Sequence, residues 1–178
     1  MSRHQVIILG LSLVAAVFGC SGSKSASNLA SVPIANDAGL QLNALSFVIE
    51  SYDAKFKNAG LGVAFVGMTS AEAGVPTDLS MDAYNEFRSS EISVRPVSTS
   101  EMAPEPIGIM KRIRDKGTHE DGVGLLASDV QYEGITAIVR VIDISSEGIC
   151  GNPNVKEVLF QWTDGSWKCN GYVPRSWY

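Results

Sequence analysis

From Ala38 onward, apolar residues recur at three- and four-residue steps. Leu42, Leu45, Ile49, Tyr52 and Phe56, with Val48 beside them, predict the buried face of a helix. Asn36 or Asp37 suits its start and Gly60 its end. A second, short helix is predicted over Leu79 to Phe87. A third is predicted over Glu105 to Lys116, where Ile107, Met110 and Arg114 share one side and Gly117 stops the run. Between these, Leu61 to Met68 and Ile92 to Val97 read as short extended segments, the first interrupted by glycine.

The last third of the chain changes character. Leu125 to Tyr132, Ile135 to Ile144, Val155 to Thr163 and Ser166 to Val173 are rich in β-branched and aromatic residues and are separated by turn residues, the pattern of successive strands. Asp164-Gly165 between the last two predicts a two-residue type I′ hairpin. That register sets Trp162 opposite Trp167, Phe160 opposite Cys169 and Val158 opposite Gly171 on the core face. Gln161, Thr163, Ser166, Lys168 and Asn170 then face water.

A long helix, shorter helices and then consecutive strands make an α+β order, with helices packed on a curved antiparallel sheet of about four to six strands. This order, and the ending VLFQWTDGSWKCNGY in particular, resembles the nuclear transport factor 2-like or cystatin-like superfamily. The stretch Val94-Arg95-Pro96, then Gly124-Leu125-Leu126 and Cys150-Gly151, is also similar to small secreted bacterial proteins. The resemblance covers the C-terminal half and rests on packing and turn residues, so it carries fold and almost no chemistry. Residues 61–104 form a longer middle segment than that fold provides for.

The first twenty residues carry an address. Arg3 gives a positive start, Val6 to Val17 are an apolar run of 12 residues, and Gly19 is a small residue just before Cys20. As a helix this run would rise about 18 Å, short of a bilayer core, so residues 1–19 read as a signal peptide. Val17-Phe18-Gly19-Cys20 resembles the lipobox of bacterial lipoproteins, although Phe18 is larger than is usual there. The resemblance implies acylation of Cys20 and attachment to the cell envelope; Ser21, rather than an Asp, implies the outer membrane where the host has one. An ordinary secretory signal with Cys20 incidental is the plainer alternative. Residues 20–37, rich in Ser, Ala and Asn, show no periodic apolar face and read as a flexible tether, leaving 38–178 as one globular domain.

Composition narrows the function classes. With 14 Lys and Arg against 19 Asp and Glu, a net charge of -5 argues against nucleic acid as a partner and against a basic membrane-binding face. The membrane contact is expected from lipid. Once Cys20 is acylated, Cys150 and Cys169 remain as an even pair in an oxidising compartment, which predicts a disulfide closing a loop of about 20 residues, worth roughly 3 kcal/mol. Two cysteines with only His119 in the mature chain do not make a zinc site, and no metal or cofactor motif is present.

Candidate chemistry is sparse. His119 beside Glu120 and Asp121 has the residue types of a general base or metal ligand, yet Gly117 and Gly122 flank it as they would a solvated loop. Arg140 and Asp143 are the charged residues within an apolar strand and are candidates for a pocket that binds an anion; pairing with a carboxylate or simple exposure is the alternative for Arg140. Trp162 and Trp167 with Phe160 are candidates for an aromatic ligand floor or for ordinary core. No catalytic residue is assigned. The expectation is a lipid-anchored envelope domain that binds a protein or small ligand; a pocket enzyme or ligand carrier using His119 or Arg140 is the runner-up.

Overall fold

The computed structural model describes residues 33–59, 61–69, 74–87, 92–103, 113–147 and 153–174. The signal peptide, Cys20, most of the tether, Gly60, residues 105–112 of the third predicted helix, Cys150, Trp177 and Tyr178 lie outside them.

The architecture is α+β. Helix α1 spans Asp37–Ala59 and precedes strand β1 (Val63–Met68), helix α2 (Met81–Glu86), β2 (Ser93–Pro96), β3 (Ser100–Met102), β4 (Ile113–Asp115), β5 (Asp121–Glu133), β6 (Thr136–Glu147), β7 (Pro153–Thr163) and β8 (Ser166–Tyr172). All eight strands belong to one open sheet ordered β2-β1-β5-β6-β7-β8, with β4 also beside β5 and β3 beside β4. The sheet's order has a local origin in its second half. β5 to β8 form an antiparallel meander because each connection is short, and Gly134 and Asp164-Gly165 supply positive φ at two of the turns.

Two expectations are corrected here. The sheet is larger than four to six strands and is mixed, since β1 runs parallel to both β2 and β5. Parallel neighbours need a long crossover, which the segment holding α2 supplies between β1 and β2. Second, Ile113–Asp115 is a strand and not the end of a helix. Asp115 Oδ1 accepts from the N–H groups of Gly117 and Thr118, both at 2.8 Å, which folds the chain back so that Ile113 and Arg114 pair with Gly122 and Asp121.

One face of the sheet carries the main core. Leu40, Leu45, Val48 and Ile49 of α1 pack on Ala64 and Val66 of β1, Val123 and Leu125 of β5, Val139 and Val141 of β6, and Val158 and Phe160 of β7. Alternate residues of the same strands, Val63 and Phe65, join Ile113 and Ile144 in a smaller cluster on the opposite face. Gln41 is buried among the apolar residues of α1, and its Nε2 donates to the carbonyl of Ser128 at 2.9 Å, inside the register shift between Ala127 and Val130. A bulge that would otherwise leave a strand carbonyl unpaired is thereby satisfied.

The terminal hairpin pairs Trp162 with Trp167 and Phe160 with Cys169, and Asp164 and Gly165 have φ of 53° and 76°. Beyond Phe160 the ladder slips by one residue, so Leu159 faces Gly171 and Val158 faces Tyr172. The predicted Val158–Gly171 pair is therefore corrected; the inward Cys169 is corrected too, since it keeps its pairing with Phe160 but is exposed on the edge strand. The slip, with Gly171 at φ 92°, delivers Tyr172 to the helix side, where its ring meets Phe47 edge-on at 5.0 Å.

Candidate functional site

The residues singled out for chemistry are distributed over three places. His119 stands in the turn between β4 and β5 at φ 58°, with its side chain 63% exposed and its Nδ1 3.9 Å from Glu101 Oε1. Glu120 turns the other way and accepts from Arg95 Nη2 at 2.8 Å. Arg95 also donates through Nη1 to Asp115 Oδ2 at 3.0 Å, while Arg114 Nε donates to Glu101 Oε1 at 2.7 Å. The outcome is two ion-pair groups, Arg95 with Asp115 and Glu120, and Arg114 with Glu101 beside His119, that clasp β2, β3, β4 and the turn. The N–H groups of Thr118 and Gly117, then the Arg95 guanidinium, hold the Asp115 carboxyl down at about 2. These acids are committed to turn and strand, and among the described residues no three His, Cys, Asp or Glu side chains converge as a metal ion would need.

Arg140 and Asp143 are three residues apart on β6 and so face opposite sides of the sheet. Arg140 points away from α1 and its Nε donates to Glu157 Oε1 of β7, its cross-strand partner, at 2.7 Å. Such a surface pair contributes about 0.2–1 kcal/mol and fixes a side chain more than it binds anything. Asp143 lies under α1, buried, and accepts from the N–H of Ser145 at 2.9 Å, from the Ser145 hydroxyl, and from the Tyr52 hydroxyl at 3.5 Å. Burial and the nearby Asp143 charge push the Tyr52 phenol up to about 12, so Tyr52 keeps its proton and acts as a donor. Tyr52, Asp143 and Ser145 thus form a hydrogen-bonded polar group beneath the helix.

Trp162 and Trp167 meet edge-on, ring centres 5.3 Å apart, and Tyr132 of β5 lies 5.7 Å from Trp167. Both tryptophans are half-buried. Trp167 packs at the edge of the main core next to the start of α1, with Trp162 against its ring, and Trp167 Nε1 donates to the Ile34 carbonyl at 2.9 Å. The Tyr132 hydroxyl accepts from the Asn36 N–H at 3.1 Å and donates to Asp37 Oδ1 at 2.6 Å. Of the expected disulfide, Cys169 sits exposed on the edge strand, and Cys150 lies outside the described residues. On the face away from α1 a shallow open cleft of about 230 Å³ is walled by Val97, Met102, Ile113 and Ile144. Its charged rim is already engaged, Glu101 with Arg114 and Lys116 with the Ser98 carbonyl. The cleft falls short of the roughly 300–1,000 Å³ of ordinary small-molecule pockets.

Sequence reasoning missed Arg95, Glu101 and Tyr52 as polar partners. Arg95 reaches acids 20 and 25 positions away, across strands whose pairing no local pattern reveals. A signal did exist for Asp115: an Asp followed two residues later by Gly is a common way to close a turn. No described helix is long and apolar enough to cross a membrane. The chain matches no protein-family model, no curated protein and no solved structure.

Proposed function

We propose that this chain is a lipid-anchored protein of the bacterial cell envelope, held through Cys20, whose folded domain binds a protein or small ligand and does not catalyse a reaction. The anchor rests on the apolar run Val6 to Val17 ending directly in Gly19-Cys20. The binding role is supported chiefly by the dispersal of the titratable residues. His119 is at an exposed turn, Arg140 is ion-paired on one face of the sheet, and Asp143 is enclosed under α1 on the other. Nucleophilic or acid–base catalysis needs such groups within hydrogen-bond reach of one reacting atom. The acidic net charge of -5 speaks for a partner that is not nucleic acid. The fold is read as nuclear transport factor 2-like or cystatin-like, on the grounds of a helix laid across an antiparallel meander, with the parallel β1–β2 pair as its departure.

A second reading is a small-ligand or enzymatic pocket of the nuclear transport factor 2-like type. What favours it is the buried Tyr52–Asp143–Ser145 group, placed beneath the helix where that superfamily keeps its polar pocket residues. The anchor is tested by expressing the full chain and Cys20→Ala in a bacterial host and following membrane fractionation. Wild type is expected with the membranes as the cleaved, lipid-modified form and the variant as the uncleaved, unlipidated precursor; a variant that matures normally and stays with the membranes refutes the anchor.

A further inference from the structure

The point where the chain enters the domain carries three of the eight large apolar residues exposed among the described residues. Ile34 is 72% exposed, Ile135 in the β5–β6 turn 48%, and Tyr132 38%. Contacts join these residues to the two tryptophans: the Trp167 indole N–H bonds the Ile34 carbonyl, Tyr132 and Trp162 both lie against the Trp167 ring, and the Trp162 backbone N–H donates to the Ile135 carbonyl at 2.8 Å. Two aliphatic side chains and three amphipathic rings thus share one corner. Tyr and Trp are the residues that settle at the boundary between lipid and water, since each has an apolar body and a polar tip.

We propose that this corner is a membrane-docking surface, by which the domain rests at the headgroup level of the same bilayer that holds Cys20; the inference rests on the lipid-anchor reading above. The length of the tether and where it ends select a bilayer as the occupant. Cys20 precedes Pro33 by thirteen residues, which span at most about 45 Å when fully extended, so the corner never leaves the neighbourhood of the anchoring membrane. Tethering over such a distance gives an effective concentration in the millimolar range, so even a weak surface affinity produces substantial occupancy. The residues beside the corner, Asp37, Glu133 and Asp164, are acidic. Attraction to anionic headgroups is therefore absent, and docking relies on apolar insertion into neutral lipid, with little response to salt.

The test uses the full-length mature lipoprotein carrying Trp177→Phe, so that emission comes from Trp162 and Trp167, in phosphatidylcholine vesicles with and without brominated acyl chains. Brominated lipid is expected to quench the tryptophan emission, and to do so equally at low and high salt because apolar insertion carries little electrostatic attraction. Ile135→Asp is expected to remove that quenching while the chain still floats with the vesicles; Ile34→Asp, outside any strand or helix, serves the same purpose should the first variant melt early. Unquenched emission from protein that floats with the vesicles overturns docking and leaves the anchor intact. Protein that does not float overturns the anchor and docking with it. A corner that is unquenched because the protein sediments as a dimer assigns the surface to a second copy and also overturns the proposal.

Discussion

Gly122 should be among the least replaceable residues of this fold, for a reason that involves contact and not conformational freedom. It lies where β5 is flanked on both sides, paired with Val63 of β1 and with Ile113 of β4. A Cβ built there would stand 2.5 Å from the Val63 carbonyl oxygen and 2.8 Å from Cε2 of the Phe65 ring. The nearer atom is backbone of a hydrogen-bonded neighbour, so relief requires β1 to move, and Val63 and Phe65 are fully buried. Overpacking of this kind costs about 1–3 kcal/mol, and a fixed backbone partner places Gly122→Ala at the upper end, about 3 kcal/mol. For a domain of this size that is a fall in melting temperature of about 6–12 °C. Gly124→Ala is the comparison. Its Cβ would approach 2.5 Å from Ile144 Cγ1 and 2.7 Å from Ile113 Cδ1, side-chain atoms that yield by rotation, so about 1 kcal/mol is expected. Thermal and urea unfolding followed by circular dichroism give both values. Phe65→Leu in the Gly122→Ala background should restore only part of the loss, because the carbonyl contact remains. If Gly122→Ala melts within about 2 °C of wild type, below the fall that about 1 kcal/mol produces, the close parallel approach of β1 to β5 at this point is wrong.

Two further expectations concern pH. Asp115 is held at about 2 against its ordinary 3.8, so the stability it contributes is complete above the unfolded value and is lost as pH falls from near 4 through 2; Asp115→Asn should flatten the melting temperature across that interval, and an unchanged slope would refute the assignment. Tyr52 is raised to about 12 from 10, so its contribution is complete below pH 10 and disappears between 10 and 12. Phenolate absorbance should show a late-ionising population that Tyr52→Phe reduces without abolishing, because burial raises Tyr84 to about 12 as well; a titration complete by pH 11 in wild type would contradict both.

What could be read from the sequence was what depends on residues close together in the chain. Asp164-Gly165 imposes its own backbone geometry, and the register from Thr163–Ser166 to Phe160–Cys169 follows from it. The next step failed because Asn170 is an extra residue in the ladder. An isolated glycine inside a strand is the usual mark of a bulge, and Gly171 was that mark. The run ending at Asp115 carries apolar residues at helical spacing, yet tertiary pairing of Ile113 with both Met102 and Gly122 overrides it. Strand direction in β1 and β2 has no local signature at all, and the Arg95 cluster depends on it. The faces of Arg140 and Asp143 were open to inference: an odd separation along a strand places two side chains on opposite sides, which removes them from a shared pocket.

The hairpin that closes the sheet also determines how the chain enters the domain. The turn residues set Trp162 across from Trp167, and that pairing leaves the Trp167 indole N–H free to reach outward to the Ile34 carbonyl. Tyr132, near the end of β5, lies tilted against the same ring at 5.7 Å and holds Asn36 and Asp37 through its hydroxyl. Residues before α1 are consequently bound to the end of the sheet, although composition alone assigns them to the tether. This placement follows from two turn sequences and does not require the tether itself to have any structure. A domain joined to lipid through a freely jointed end could present any side to its surroundings. Here Ile34–Asp37 are bonded to the sheet at one corner, so the outlet of the tether has a fixed position on the domain, and the exposed Ile34 and Ile135 lie beside that outlet. Under the anchor and docking proposed above, a partner of the domain would approach a face that the corner leaves open, such as the surface around Arg140 and Glu157 on the side of the sheet away from α1.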